Sequence, residues 1–118
     1  MEKIPVSVYV LTTNNRRTIE RCLKSLSWAQ ELVVVDSFSQ DGTFEICKQY
    51  ADKTFQREWT GHRDQYQYAA DLTTQDWIMF VDADEEIPSE LAEEIRVELH
   101  GKGKDLDGYF AYRRTYYL

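Results

Sequence analysis

The feature that most constrains this chain is an alternation. Apolar, β-branched runs trade places with stretches whose apolar residues recur at helical spacing. Residues 6–11, Val-Ser-Val-Tyr-Val-Leu, form a β-branched and aromatic run that stops at Thr12-Thr13-Asn14-Asn15, which predicts a strand ending in a loop. Ile19, Cys22, Leu23 and Leu26 follow at i, i+3, i+4 and i+7, one face of a helix. Leu32-Val33-Val34-Val35, closed by Asp36, reads as a strand buried on both faces. Asp41-Gly42-Thr43 then punctuates the chain before a helix with Phe44, Cys47 and Ala51 on one side, and residues 53–57 suit a short third strand. Gly61 opens a helix on which Tyr66, Ala69 and Ala70 share a face. Trp77-Ile78-Met79-Phe80-Val81 is the clearest strand, and it stops at Asp82-Ala83-Asp84-Glu85-Glu86. Pro88 suits the first turn of a helix that Leu91, Ile95 and Leu99 continue, and Gly108 to Tyr112 predicts a fifth strand.

Strands alternating with helices of about a dozen residues imply right-handed βαβ units. The expected fold class is α/β, a doubly wound and mostly parallel open sheet of Rossmann-like type, with an antiparallel last strand allowed. No repeat, low-complexity segment or linker divides residues 1–118, so a single domain is expected.

Charge and composition exclude several classes. Against 14 Lys+Arg stand 21 Asp+Glu, a net charge of −7. The pI is near 4.8, which argues against a nucleic-acid partner because phosphate binding depends on Lys and Arg. No apolar run approaches the roughly 18 residues that span a bilayer, and the first residues lack the pattern of a signal peptide. The expected location is cytoplasmic, with any membrane contact peripheral to the inner face. Cys22 and Cys47 form no metal-like spacing and read as reduced thiols on buried helix faces.

In open α/β sheets, ligands bind beyond the carboxyl ends of the strands, where strand order reverses. Those ends carry Thr12-Thr13-Asn14, Asp36, and Asp82 with Asp84. A first strand flanked by the second and fourth would bring all three groups to one crevice. An extended backbone would point Asp82 and Asp84 the same way, making a hard-oxygen site for Mg²⁺ or Mn²⁺ shared with substrate phosphates. Glu85 and Glu86 read as residues at a helix mouth, stabilised by its dipole. His62 reads as a surface residue, and Trp28, Trp59 and Trp77 as packing in the core or its rim.

Residues 7–26, then Leu32 to Ser37 with Asp41-Gly42-Thr43, then Asp76-Trp77 to Glu85, resemble the nucleotide-sugar half of family 2 glycosyltransferases, of GT-A fold. Phe55-Gln56-Arg57-Glu58-Trp59, Gly61 and Gln65 are similar to the bacterial lipopolysaccharide-core glucosyltransferase group. The resemblance implies that Thr12 and Asn14 line the base and ribose pocket. It implies that Asp36 accepts a hydrogen bond from the imide N–H of the base, that Asp82 lies near ribose and metal, and that Asp84 holds the divalent cation, Mn or Mg. It adds Gln65 to the donor site, with Arg63 as the cation one turn from Tyr66, where a basic residue is usual. The implied donor is a nucleotide-diphospho-sugar, UDP-linked, and the implied acceptor a glycan or lipid-linked glycan of the bacterial envelope.

This chain departs from the pattern at Leu11 and Thr13, at Phe38 where Gly is usual, and at Gln40 where Thr is usual. The inverting reaction needs a carboxylate base on the acceptor side, expected beyond Leu118, so the chain reads as the donor and metal part of a longer enzyme. Two rivals stand beside this reading. A phosphoacceptor domain needs acidic residues after the first strand and a Lys after the last, and neither is present. A non-catalytic nucleotide- or partner-binding module would keep the fold and use the aromatics Tyr109, Tyr112, Tyr116 and Tyr117 as a surface. A homodimer is also expected, through the unpaired edge of the fifth strand.

Overall fold

β1 (Ile4–Thr12), α1 (Arg16–Lys24), β2 (Ala29–Asp36), α2 (Thr43–Tyr50), β3 (Lys53–Gln56), α3 (His62–Asp71), β4 (Trp77–Phe80) and α4 (Ser89–His100) follow one another in strict alternation. They come from a computed structural model, which describes residues 2–100. The expected fifth strand and the tyrosines from Tyr109 onward lie outside the described residues.

The four strands form one parallel sheet in the order β3-β2-β1-β4. From β1 the chain winds outward through β2 and β3, then returns to place β4 on the other side of β1. The strand order therefore reverses between β1 and β4, with β1 flanked by β2 and β4 as the crevice requires.

The alternating faces of the strands explain the layers. Val6, Val8 and Val10 of β1 pack with Leu32 and Val34 of β2 against Ile19, Cys22 and Leu23 of α1, Cys47 of α2 and Ala92 and Leu99 of α4. Each Val, Leu and Ile among them contributes about 1.5–3 kcal/mol by leaving water. The opposite face belongs to α3, which packs over β1 and β2 and sets Tyr66 edge-on to Tyr9 of β1. Helices on both faces make the sheet doubly wound. Ile78 of β4, which ends the sheet among the described residues, remains 47% exposed.

β2 begins at Ala29, three residues before the apolar run, and so takes a glutamate into its interior. Glu31 is buried, accepting hydrogen bonds from Ser7 Oγ (2.7 Å), Thr74 N (2.8 Å) and Thr74 Oγ1 (3.1 Å) and pairing with Lys53 Nζ at 2.8 Å. Trp28 is buried and Trp77 packs against the core, whereas Trp59 is 43% exposed. Among the described residues, no helix is long and apolar enough to cross a membrane.

Candidate functional site

Thr12 and Asp36 are register partners at the carboxyl ends of β1 and β2. Both side chains point to the α1/α2 face, where Thr12 Oγ1 donates to Asp36 Oδ1 at 2.6 Å. Asp36 is fully buried. Its Oδ1 also accepts from Ser39 Oγ (2.5 Å), and its Oδ2 from Ser39 N (2.9 Å) and Gln56 Nε2 (3.3 Å). A carboxylate offers about four lone-pair positions, so these four donors fill it. Asp36 thus organises the floor of the crevice, and its one solvent-side partner is the amide of exposed Gln56.

The two loops above this floor are laced together. Asn14 takes the left-handed conformation with φ 52°, donates its N–H to Ser39 Oγ (2.7 Å) and accepts from Gln40 N (2.8 Å) through Oδ1. Asn15 N donates to Thr43 Oγ1 at 2.9 Å, and Arg16 N to Asp41 Oδ2 at 3.2 Å. Asp41 also receives Thr43 N (3.0 Å) and the Thr43 hydroxyl, capping α2 from one residue before Gly42. The Thr43 hydroxyl, helped by the Arg16 N–H and opposed by burial, holds the Asp41 carboxyl below its usual range.

Phe38 adopts φ 53°, a region that costs a residue with a Cβ on the order of 1–2 kcal/mol. A glycine would take this conformation without strain. Phe38 instead leaves its ring 56% exposed on the loop that follows β2.

Gln65 and Arg57 close the β3 side. Gln65 is fully buried on α3. It accepts from Arg57 Nη1 at 2.9 Å and donates to Ser37 Oγ (3.1 Å) and Arg57 O (3.3 Å). Arg57 N donates to Asp36 O at 2.9 Å, and the guanidinium lies 4.8 Å over the ring of Tyr68. Arg63 is exposed on the first turn of α3. Tyr66 packs in an aromatic group with Tyr9, Phe80 and His62, and Trp59 meets the His62 ring edge-on at 4.8 Å.

Beyond β4 the backbone does not stay extended through Asp82 and Asp84. Glu85 N donates to Asp82 O at 3.0 Å, and Asp82 N donates to Glu85 Oε1 at 2.9 Å. These reciprocal bonds make a turn, which replaces the expected alternation of side chains as the reason the two carboxylates share a region. Glu85 therefore braces the turn and does not sit at the mouth of α4, which begins at Ser89. Asp82 is half-buried and Asp84 exposed. The acidic turn lies beside Cys22, whose thiol burial first, then Glu85, Cys47, Asp84 and Asp82, push up to about 12. Cys47 is pushed to about 12 by burial and then by Asp36, so both free thiols stay protonated and inert.

Among the described residues no group of three or more His, Cys, Asp or Glu forms a metal cage. Two carboxylates at a turn are nevertheless what Mg²⁺ or Mn²⁺ needs when phosphate oxygens and water complete its shell.

The structure therefore brings Thr12, Asn14, Asp36 and Gln65 into one hydrogen-bonded frame through Ser37 and Ser39. It places Asp82 and Asp84 on the neighbouring turn and Arg63 on the surface. Ser37, Ser39, Gln56 and Arg57 belong to the frame without having been singled out as site residues. Gln56 and Arg57 were findable, since Gln56 ends β3 as Asp36 ends β2, and Arg57 follows it.

The family model described as "Glycosyl transferase family 2" matches residues 7–116 of the chain. The chain belongs to glycosyl transferase family 2. It is similar, at 38% identity over 96% of its length, to an uncharacterized glycosyltransferase of Rickettsia felis, of which it spans 39%. It is 31% identical over 98% of its length to the lipopolysaccharide core biosynthesis glycosyltransferase LpsC of Rhizobium meliloti, spanning 44% of that protein. Among solved structures it resembles S. aureus TarS 1-349, with a TM-score of 0.68 and 26% identity, over 85% of this chain and 32% of that one. It shares the fold of the glucosyl-3-phosphoglycerate synthase of Mycobacterium tuberculosis, solved with Mn²⁺, UDP and glucosyl-3-phosphoglycerate, with a TM-score of 0.61 and 23% identity, over 70% of this chain and 36% of that one. This family 2 chain thus spans about two-fifths of the length of the curated relatives it matches.

Proposed function

We propose that this chain is the donor-binding part of an inverting, metal-dependent glycosyltransferase that moves a sugar from a nucleotide-diphospho-sugar to a bacterial envelope glycan. The observation that carries the reading is the strand order β3-β2-β1-β4. It gathers the Thr12–Asp36 pair, the Asn14 loop and the Asp82–Asp84 turn at the switch point, with membership of family 2 behind it. Similarity to LpsC favours an acceptor of lipopolysaccharide-core type.

In this reading Asp82 and Asp84 would hold the divalent cation that accompanies the donor. When bound, that cation supplies positive charge where the leaving diphosphate becomes more negative. The chain's own residues do the rest. Thr12 and Asn14 shape the base and ribose pocket, Gln65 fixes Ser37 and Arg57 on its far wall, and Arg63 offers an exposed cation. Asp36 reads the imide N–H of a uracil only if the Gln56 amide, its longest contact at 3.3 Å, gives up its place. In this reading the general base is a carboxylate of the acceptor side, and none of the donor-site residues named here takes that role.

Calorimetric titration with UDP in the presence of Mn²⁺ tests the proposal. Saturable binding, weakened but not abolished on chelation, is expected; no binding at millimolar UDP by folded chain rejects it. One observation favours the rival reading of a non-catalytic module. Tyr66 packs among Tyr9, Phe80 and His62 at the place where the family pattern expects a cation.

A further inference from the structure

Phe38 combines properties that folding does not explain. It is the most exposed large apolar side chain among the described residues, at 56%, and its backbone holds φ 53°, which glycine adopts freely. Strain of this kind persists where the surroundings over-determine it, and it gathers at ligand sites.

The surroundings do over-determine it. Before it, Ser37 N donates to Thr12 O at 2.9 Å and Ser37 Oγ receives Gln65 Nε2 at 3.1 Å. After it, Ser39 is bound through N and Oγ to Asp36 and receives Asn14 N, while Gln40 N reaches Asn14 Oδ1. A ring on so braced a segment loses little further freedom on meeting a ligand. No other ring packs on it among the described residues. Along the two loops of the crevice, Thr12–Arg16 and Ser37–Gly42, it is also the only aromatic residue. Asp36, which would read the base edge in the donor reading, already has four donors.

We propose that Phe38 is the stacking platform for the donor nucleobase, so that this site recognises the base by its flat face more than by its edge. The inference rests on the donor reading above. A π-face accepts any base, so the site should discriminate weakly between nucleoside diphosphates.

The test is calorimetric titration of the 118-residue chain and its Phe38→Leu and Phe38→Trp variants. The titrants are UDP, CDP, GDP and inorganic pyrophosphate, each with Mn²⁺. Phe38→Leu keeps apolar bulk and removes the π-face. It should weaken all three nucleotides by roughly 5- to 150-fold and leave pyrophosphate unchanged, while Phe38→Trp retains nucleotide binding. Unchanged UDP affinity in Phe38→Leu, with UDP bound by the wild type, overturns the stacking role and leaves the donor reading standing. An equal loss of pyrophosphate overturns it too, since the loop and not the ring would then be at fault. A wild type that binds no nucleoside diphosphate overturns both.

Discussion

Asp36 and Asp84 carry the same side chain at two strand ends, and their surroundings give them opposite consequences. Asp36 is fully buried under four donors. Asp36→Asn would turn an amide N–H₂ toward hydroxyl and N–H groups that now donate, weakening charge-assisted bonds and leaving buried donors unmatched. The expected cost is on the order of 3 kcal/mol, a fall of more than about 10 °C in melting temperature for a domain of this size. A melting temperature equal to wild type would show that the frame does not depend on the charge. Asp84 is exposed on the turn after β4, so Asp84→Asn should leave melting unchanged. If it ligates a cation, the neutral amide is a poorer hard ligand, and UDP affinity should drop with Mn²⁺ or Mg²⁺ present and stay the same under EDTA. A drop of equal size in EDTA would assign Asp84 to the nucleotide itself.

At the scale of elements, the parts legible in the sequence were those where one periodicity rules. Residues 32–35 announced β2 because both sheet faces are covered. Ile19, Cys22 and Leu23 announced α1 because a single stripe faces the core. The illegible parts are those where polar groups satisfy one another across the chain. β2 reaches back to Ala29 because Ser7, Lys53 and Thr74 jointly satisfy Glu31, a pairing no local pattern reveals. The Asp82–Glu85 turn is likewise made by two reciprocal bonds, where period-2 reasoning expected extended chain. In the site, the strand-end rule located Thr12, Asp36 and the acidic turn. The loop-to-loop lacing by Ser37 and Ser39 stayed hidden because a serine's partner is set by tertiary position. Glu31→Gln is the element-scale test of that hidden cluster. It should loosen the hold of Thr74 and Ser7 on the β4 approach, and hydrogen exchange should rise first in residues 72–77. Uniform protection there would mean that the apolar layers alone hold β4 in place.

For the whole molecule, the same glutamate decides how stability follows pH. Burial alone would raise the Glu31 carboxyl; Lys53, Ser7 and Thr74 outweigh it and bring it down from 4.5 to about 2. A folded-state value below the unfolded one means that folding favours the ionised form. Its contribution is complete above about pH 4.5 and disappears as pH falls toward 2. The shift corresponds to about 3 kcal/mol. A second, diffuse effect opposes it at milder pH. The chain carries −7 at pH 7 and reaches neutrality near pH 4.8, so acidification from pH 8 to 5 relieves self-repulsion. The melting temperature should therefore hold level or rise slightly from pH 8 to 5 and fall steeply below about 4.5. Glu31→Gln separates the two effects. The variant should melt lower than wild type at pH 7, keep the gentle rise toward pH 5, and lose part of the acid limb, so that the two curves converge near pH 2 to 3. Parallel curves across the whole range would place the acid sensitivity in other carboxylates and leave the Glu31–Lys53 pair without influence on it.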